Sequence, residues 1–172
     1  MRVLVAYATH LGSTQEIADR IAQTLRREGV DAELRSVDQV DLSVDGFDAY
    51  VIGSAVHAGH WLKPAKKFVE RHAALLESRP VWLFSSGPIG ETAVHAPQPD
   101  PKEIGDFRRL LEPRAHVVFA GAFDREAADE RGGLLERAFS RFIPEGDFRD
   151  WPAIESWARG IATELSRDMV TA

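Results

Sequence analysis

The chain has 172 residues, of which 44% are hydrophobic, and a formal net charge of −6 at pH 7. This size predicts one domain with a substantial core, and the negative charge argues against nucleic-acid binding. Because the chain has no cysteine, disulfides, thiolate metal sites and cysteine-held iron–sulfur clusters are excluded. Any redox chemistry therefore needs a bound cofactor.

No apolar run approaches the roughly 20 residues that span a bilayer. The first residues, Met-Arg-Val-Leu-Val-Ala-Tyr, are too short an apolar run for a signal peptide and are typical of a first strand. We therefore expect a cytoplasmic protein with at most peripheral membrane contact.

Apolar, β-rich runs alternate with helical patterns along the chain. The predicted strands are Val3–Ala8, Ala32–Val37, Ala49–Ser54, Val81–Ser86 and His116–Phe123. The first, third and last runs are almost unbroken in hydrophobicity, which is typical of strands buried on both faces of a parallel sheet.

Between the strands, apolar residues recur at the spacing of one helical face. Four helices are predicted, around Ile17, Ile21 and Leu25; around Ala65, Val69, His72 and Leu76; around Ile104, Phe107 and Leu111; and around Ile154, Trp157, Ile161 and Leu165. Pro64 suits the first turn of the second helix, and His72 is interpreted as a core histidine. The alternation predicts a single three-layer α/β domain over residues 1–172, with ligands at the carboxyl ends of the strands.

Three strand ends are rich in small, hydroxyl and glycine residues: 9–14, 53–61 and 85–91. The first turn lacks the lysine of a Walker A loop, the three glycines of a dinucleotide fingerprint and the carboxylates of a receiver domain. What remains is a turn of hydroxyls and backbone N–H groups that suits a monophosphate. The alternative is that Ser13 only caps the helix, because Ser13 and Glu16 match the capping-box pattern.

Thr9, Gly12 and Thr14 match the T-x-x-G-x-T phosphate loop of flavodoxin-like FMN proteins, although Leu11 stands where that loop often has Thr. The chain further resembles one branch, the menaquinone-dependent protoporphyrinogen dehydrogenases of heme biosynthesis, over Val51–Leu76, Phe119–Phe123 and Asp150–Ala162. That branch tends to have Tyr where this chain has Ala58. The resemblance implies a flavodoxin-like three-layer sandwich with a five-stranded parallel sheet of order 2-1-3-4-5.

The resemblance also implies one noncovalently bound FMN and no metal. The implied phosphate-binding residues are Thr9, His10, Leu11, Gly12, Ser13 and Thr14. The implied ring-side residues are Ser54, Ala55, Val56, His57, Ala58, Gly59, His60, Trp61, Ser85, Ser86, Gly87, Pro88, Ile89 and Gly90. No catalytic residue is assigned, and His57 and His60 are candidate proton donors. Trp61 is as compatible with the core as with the cofactor wall.

The second strand-end loop contains two histidines and no acid, and Glu91 borders the third. Since negative charge near a flavin lowers its potential, this pattern favours a two-electron dehydrogenase over a low-potential carrier. The resemblance implies protoporphyrinogen as substrate and a quinone as acceptor. A flavodoxin that carries electrons between partner proteins and a scaffold without flavin remain alternatives, and the oligomeric state is open.

The segment between the last strand and the last helix, residues 124–150, is too long for an ordinary connection and is interpreted as a functional insertion. Its apolar residues fall on one helical face: Leu134, Leu135, Ala138, Phe139, Phe142 and Ile143. Arg137 and Arg141 fall on another. A porphyrinogen or a quinone would need such an apolar patch, and the alternative is that this face packs on the domain.

Overall fold

The computed structural model describes residues 1–38, 44–87, 99–126 and 144–171. Its strands are β1 Arg2–Ala8, β2 Asp31–Ser36, β3 Ala49–His57, β4 His60–Trp61, β5 Val81–Ser86, β6 Ala115–Phe119, β7 Ala122–Phe123 and β8 Gly146–Asp147. Its helices are α1 Ser13–Arg27, α2 Lys63–Arg71, α3 Ala73–Glu77, α4 Ile104–Leu111 and α5 Trp151–Thr171.

Five parallel strands form the main sheet in the order β2-β1-β3-β5-β6. This order confirms the predicted 2-1-3-4-5 arrangement, since the additional short strand β4 lies off this path and pairs only with β3. The register aligns Ala8 of β1 with Ser54 of β3, and Ser54 with Ser85 of β5. The three polar strand ends therefore meet at one edge of the sheet.

A hydrophobic core lies on each face of the sheet. On one face, α1 and α5 bury Ile17, Ile21, Leu25, Ile154, Ile161 and Leu165. On the other face, α2, α3 and α4 bury Ala65, Val69, Leu76, Ile104, Phe107 and Leu111. These residues include most of the predicted apolar positions, and each large side chain contributes about 1.5–3 kcal/mol when fully buried. Among the described residues, no helix combines the length and the hydropathy needed to cross a membrane.

The prediction of one strand over His116–Phe123 was wrong in its second half. Strand β6 ends at Phe119, and Ala122–Phe123 pairs instead with Gly146–Asp147 in a separate two-stranded antiparallel sheet. Beyond Phe119 the backbone no longer pairs with β5. The carbonyl of Gly121 instead accepts a hydrogen bond from the N–H of Phe148 at 3.1 Å. The residues just before the 124–150 segment are thereby paired with residues near its end.

The second predicted helix is divided at His72. Helix α2 ends at Arg71 and α3 begins at Ala73, and the carbonyl of His72 accepts hydrogen bonds from the N–H groups of Leu75 and Leu76. His72 is therefore a partly buried junction residue, and the prediction of a core histidine on a continuous helix was wrong. Burial lowers the pKa of His72, whose ring lies 4.9 Å from that of Phe68. Pro64 lies in the first turn of α2, as predicted.

Candidate functional site

The first strand end is a tight turn that leads directly into helix α1. The Thr9 hydroxyl accepts a hydrogen bond from the N–H of Gly12 at 3.0 Å, and Gly12 is the N-cap residue with a φ of +99°. Such a φ favours glycine. Glycine has no side chain with which to cap the helix, so the first N–H groups of α1 remain available to an anion beyond β1.

The structure contradicts the capping-box alternative. Ser13 is the first helical residue, not the N-cap, and its hydroxyl accepts a hydrogen bond from the N–H of Ala122 at 3.0 Å. Glu16 forms an ion pair with Arg149 at 2.9 Å. Thr14 is buried, while Leu11 is partly buried and His10 is exposed. Neither member of the expected capping pair therefore caps α1 through its side chain.

The second strand end is a β-hairpin that the sequence did not reveal. Strand β3 continues to His57, turns at Ala58 and Gly59, and returns as β4 with His60 opposite His57. Both turn residues have positive φ, +50° and +79°, as a type I′ turn requires. The hairpin was missed because strands of two residues produce no periodic signal. It leaves both histidines exposed at the edge of the sheet.

Glu103, directly before α4, is a further residue of this edge that sequence reasoning missed. One carboxylate oxygen lies 2.7 Å from Nδ1 of His60, and the other accepts a hydrogen bond from the N–H of Trp61 at 2.9 Å. Burial would raise the pKa of Glu103, but the hydrogen bonds from His60 and Trp61 outweigh it and hold that pKa below its ordinary value. The buried carboxylate of Glu103 thus holds the returning half of the hairpin, although the hairpin sequence itself contains no acid.

Trp61 belongs to the core. It is 3% exposed, its Nε1–H donates to the hydroxyl of Ser85 at 2.8 Å, and its ring meets that of Phe107 edge-on at 5.2 Å. Of the two interpretations left open by the sequence, the structure supports packing over a cofactor wall. In this arrangement the exposed residues of the hairpin run from His57 to His60.

Two predicted ring-side serines are likewise engaged inside the protein. The Ser54 hydroxyl donates to the carbonyl of Ala55 at 2.8 Å and accepts from the N–H of Leu62 at 3.0 Å. Ser54 and Ser85 are fully buried, and Ser86 is nearly so, whereas Ala55 and Val56 are partly exposed. The hydroxyl groups of Ser54 and Ser85 therefore fix the strand ends from within.

Ser85 also lies 2.8 Å from Nε2 of His116, and Nδ1 of His116 lies 3.1 Å from Asp100. This order of groups resembles a nucleophilic triad. Ser85, however, is inaccessible to a substrate and already accepts the indole N–H of Trp61. Burial lowers the pKa of His116 despite the nearby carboxylate of Asp100. We interpret this chain of hydrogen bonds as structural support for the third strand end.

The third strand end is described as far as Gly87, which has a φ of +108° and donates its N–H to the carbonyl of Phe119 at 3.0 Å. Pro88, Ile89, Gly90 and Glu91 lie outside the described residues. So do the six apolar residues of the 124–150 segment, from Leu134 to Ile143, and both its central arginines, Arg137 and Arg141. The predictions made for these residues remain predictions.

The described groups fit a ligand that joins an anion to a planar ring. An uncapped helix N-terminus lies after β1, and the exposed hairpin and the Gly87 turn follow on the next two strands of the sheet. The helix offers N–H groups to a phosphate, and the two loops offer backbone and imidazole groups to the edge of a ring.

A family model described as "Flavodoxin domain" matches residues 4–130. The protoporphyrinogen IX dehydrogenase [quinone] of Escherichia coli strain K12 is 31% identical over 176 residues, which cover 94% of this chain and 95% of that protein.

Solved structures show the same fold at low sequence identity. A flavodoxin from the domain Archaea aligns with a TM-score of 0.51 and 19% identity, over 83% of this chain and 98% of that one. The two-electron reduced flavodoxin of Megasphaera elsdenii aligns with a TM-score of 0.55 and 17% identity, over 82% and 99%. The rubredoxin oxygen:oxidoreductase of Desulfovibrio gigas gives a TM-score of 0.63 and 14% identity over 98% of this chain, which spans only 37% of that protein.

Proposed function

Since the chain belongs to the flavodoxin-domain family and is an FMN-binding oxidoreductase, we propose that it dehydrogenates a lipophilic substrate of the porphyrinogen class and passes the electrons to a quinone. The observation that carries the proposal is the site edge itself: an uncapped helix N-terminus beside an exposed hairpin with two histidines. The Escherichia coli relative, similar over nearly its whole length, is named for this substrate and this acceptor.

The FMN phosphate would be held by the first turn of α1, with Thr9, Gly12 and Thr14 around it. The ring would lie between the His57–His60 hairpin and the turn at Gly87. Bound FMN would supply the chemistry, by accepting a hydride equivalent and releasing its electrons one or two at a time. The protein's part is to hold the ring, to exclude water and to accept protons.

The charges around the hairpin favour a dehydrogenase over a low-potential carrier. Two histidines are exposed there, and the carboxylate of Glu103 is paired with one of them. A close charge pair near a surface is worth about 1–4 kcal/mol, which is enough to shift a flavin potential. Because the carboxylate of Glu103 accepts hydrogen bonds from the ring of His60 and the N–H of Trp61, its negative charge opposes reduction of a bound ring less than that of an unpaired acid would.

The cofactor is tested first. The purified protein is heated, and the released flavin is identified by chromatography. We expect FMN in near-stoichiometric amount, whereas FAD, or an apoprotein without affinity for FMN, would contradict the proposal.

The substrate is tested by anaerobic mixing of the FMN-loaded protein with protoporphyrinogen, while the flavin absorbance is followed. We expect bleaching on mixing and recovery of the absorbance when menaquinone is added. A protein that is reduced by a reductase but never by protoporphyrinogen would instead be an electron carrier.

The quinone half of the proposal depends on residues 127–143, which lie outside the described part of the chain. The sequence places Phe139 and Phe142 on one apolar helical face. We expect their joint replacement by Ser to slow turnover with menaquinone and to spare turnover with ferricyanide at unchanged FMN content. Equal activity of the variant and the parent with menaquinone would assign this face to packing.

A further inference from the structure

Glu103 uses both of its carboxylate oxygens on the hairpin. One lies 2.7 Å from Nδ1 of His60, and the other accepts the N–H of Trp61 at 2.9 Å. The neighbouring residue Lys102 donates its backbone N–H to the carbonyl of Gly59 at 3.1 Å. The segment before α4 therefore holds the returning half of the hairpin at three consecutive residues.

The contact with Glu103 decides which nitrogen of His60 carries a proton. An ionised carboxylate can only accept hydrogen bonds, so Nδ1 of His60 must be the donor. In the neutral imidazole the lone pair is then on Nε2. The Glu103 side chain is 9% exposed and that of His60 is 47% exposed. The dyad thus pairs a buried acceptor with a half-exposed imidazole.

We propose that Glu103 is a positioning residue that keeps the proton of His60 on Nδ1, so that Nε2 accepts the proton which a substrate loses at the hairpin. This inference rests on the proposed function. Dehydrogenation removes two electrons and two protons from the substrate. A hydride equivalent goes to FMN, and the remaining proton goes to Nε2 of His60. The imidazolium formed is neutralised by Glu103 and returns its proton to solvent through its exposed edge.

His60 is better suited to this role than His57. The two lie opposite each other in the hairpin, and both are exposed. Only His60, among these two, has a carboxylate bonded to its ring in the described structure. Asp100, three residues before Glu103, is bonded to His116 instead. Two further charged residues lie near the pair in sequence, Lys102 next to Glu103 and Lys63 at the start of α2. Both are cations and cannot replace Glu103 as the acceptor of Nδ1–H.

The tautomer of His60 is measured by ¹⁵N NMR of the protein without FMN, with the signal assigned by its loss in His60→Gln. We expect wild type to carry the proton on Nδ1 when His60 is neutral. In Glu103→Gln the amide oxygen can still accept the N–H of Trp61, but its NH₂ group can only donate to Nδ1. The proton of His60 should therefore move to Nε2. A wild-type His60 with its proton on Nε2 would overturn the inference even if the variant did not fold.

Asp100→Asn is the matched control for the tautomer. Asp100 faces Nδ1 of His116 three residues before Glu103, so this variant should change the tautomer of His116 and leave that of His60 as in wild type. A change at His60 in both variants would indicate general loosening of the segment and would contradict a specific role for Glu103.

Turnover is measured with protoporphyrinogen and menaquinone across pH. In Glu103→Gln we expect kcat to fall by roughly 10²-fold, in the range usual for lost acid–base catalysis, with FMN affinity changed by less than about twofold. Glu70→Gln, the same change at an exposed carboxylate of α2, should behave like wild type.

The two proposals fail in different ways. A normal kcat in Glu103→Gln, with its tautomer switched, would overturn the proton-accepting role of His60 while the proposed function stands. A wild type with the expected tautomer but without bleaching by protoporphyrinogen would overturn the proposed function and, with it, that role.

Discussion

The hydroxyl of Ser13 accepts a hydrogen bond from the N–H of Ala122, 109 residues later in the chain. This contact ties the start of α1 to strand β7, and it uses the oxygen that a capping serine would turn toward its own helix. The N-cap is Gly12 instead, which cannot cap. Among the described residues, no side chain caps the first turn of α1, so its N–H groups can bind a ligand or water.

Gly12→Ala tests the phosphate turn. Since nothing lies within 4 Å of a Cβ at Gly12, the cost comes from its φ of +99° alone and should be about 1–2 kcal/mol of stability. Relaxation of the turn should move its N–H groups away from the phosphate. We therefore expect the apoprotein to lose much more affinity for FMN than for riboflavin, which has no phosphate, as measured by calorimetric titration.

Gly29→Ala is the control for this prediction. Gly29 follows the opposite end of α1, with a φ of +84° and equally open space. It should cost similar stability and affect the two ligands equally. If Gly12→Ala also weakened both ligands to the same extent, the turn would be structural.

Thr14→Val tests the hydroxyl that the sequence assigned to the phosphate. Valine has nearly the same shape, so the fold should tolerate the change, while FMN loses one hydrogen bond to a charged group, about 1.5–3 kcal/mol. Riboflavin affinity should change little. Thr24→Val is the control on the same helix, because its buried hydroxyl bonds only the carbonyl of Arg20 in the described structure. Selective loss of FMN in both variants would contradict the assignment of Thr14.

The sheet was predictable from sequence because its signals are local and repeated. Unbroken apolar runs marked β1 and β3, and the spacing of Ile104, Phe107 and Leu111 marked α4, in which all three are buried. The order of the strands came from the resemblance to flavodoxins. The side of the sheet on which the polar ends meet then followed from the topology of parallel strands.

The contacts that define the site were not predictable because they join residues far apart in sequence. Glu103 reaches His60 across 43 positions, and an acid before a helix is otherwise explained by the helix dipole. The pattern at Ser13 was misleading because a capping box is local, and a partner at Ala122 leaves no mark near it. The sequence around Trp61 likewise does not show that it is buried, because the residues that cover it, Ser85 and Phe107, are distant in the chain.

Gly53→Ala should strongly destabilise the protein. A Cβ at Gly53 would stand 1.9 Å from Cζ of Phe84, whose buried ring fills the space next to β3. Overpacking of this kind costs typically about 1–3 kcal/mol, measured here by urea unfolding. Phe84→Leu, which replaces the ring by a smaller side chain, should reduce the destabilisation that Gly53→Ala causes. The double variant Gly53→Ala/Phe84→Leu should therefore lose less free energy of unfolding than the two single variants lose together. Strictly additive losses would contradict the proposed clash.

His116→Gln should remove part of the acid sensitivity of the fold. Burial lowers the pKa of His116 below its ordinary value of 6.5, even though Asp100 opposes the shift, while Arg108 adds to it. Between the lowered pKa and 6.5 the unfolded chain binds more protons at this residue than the folded chain, so the free energy of unfolding falls as pH falls. The histidine also loses its role toward Ser85 once protonated, because Nε2 can then only donate. We expect the stability advantage of wild type over His116→Gln, measured by urea unfolding, to be largest near about pH 7.5 and to shrink toward about pH 5. His72, whose pKa is also lowered, is present in both proteins, so its contribution cancels. A difference that stays constant over this range would show that His116 does not titrate as a buried neutral residue.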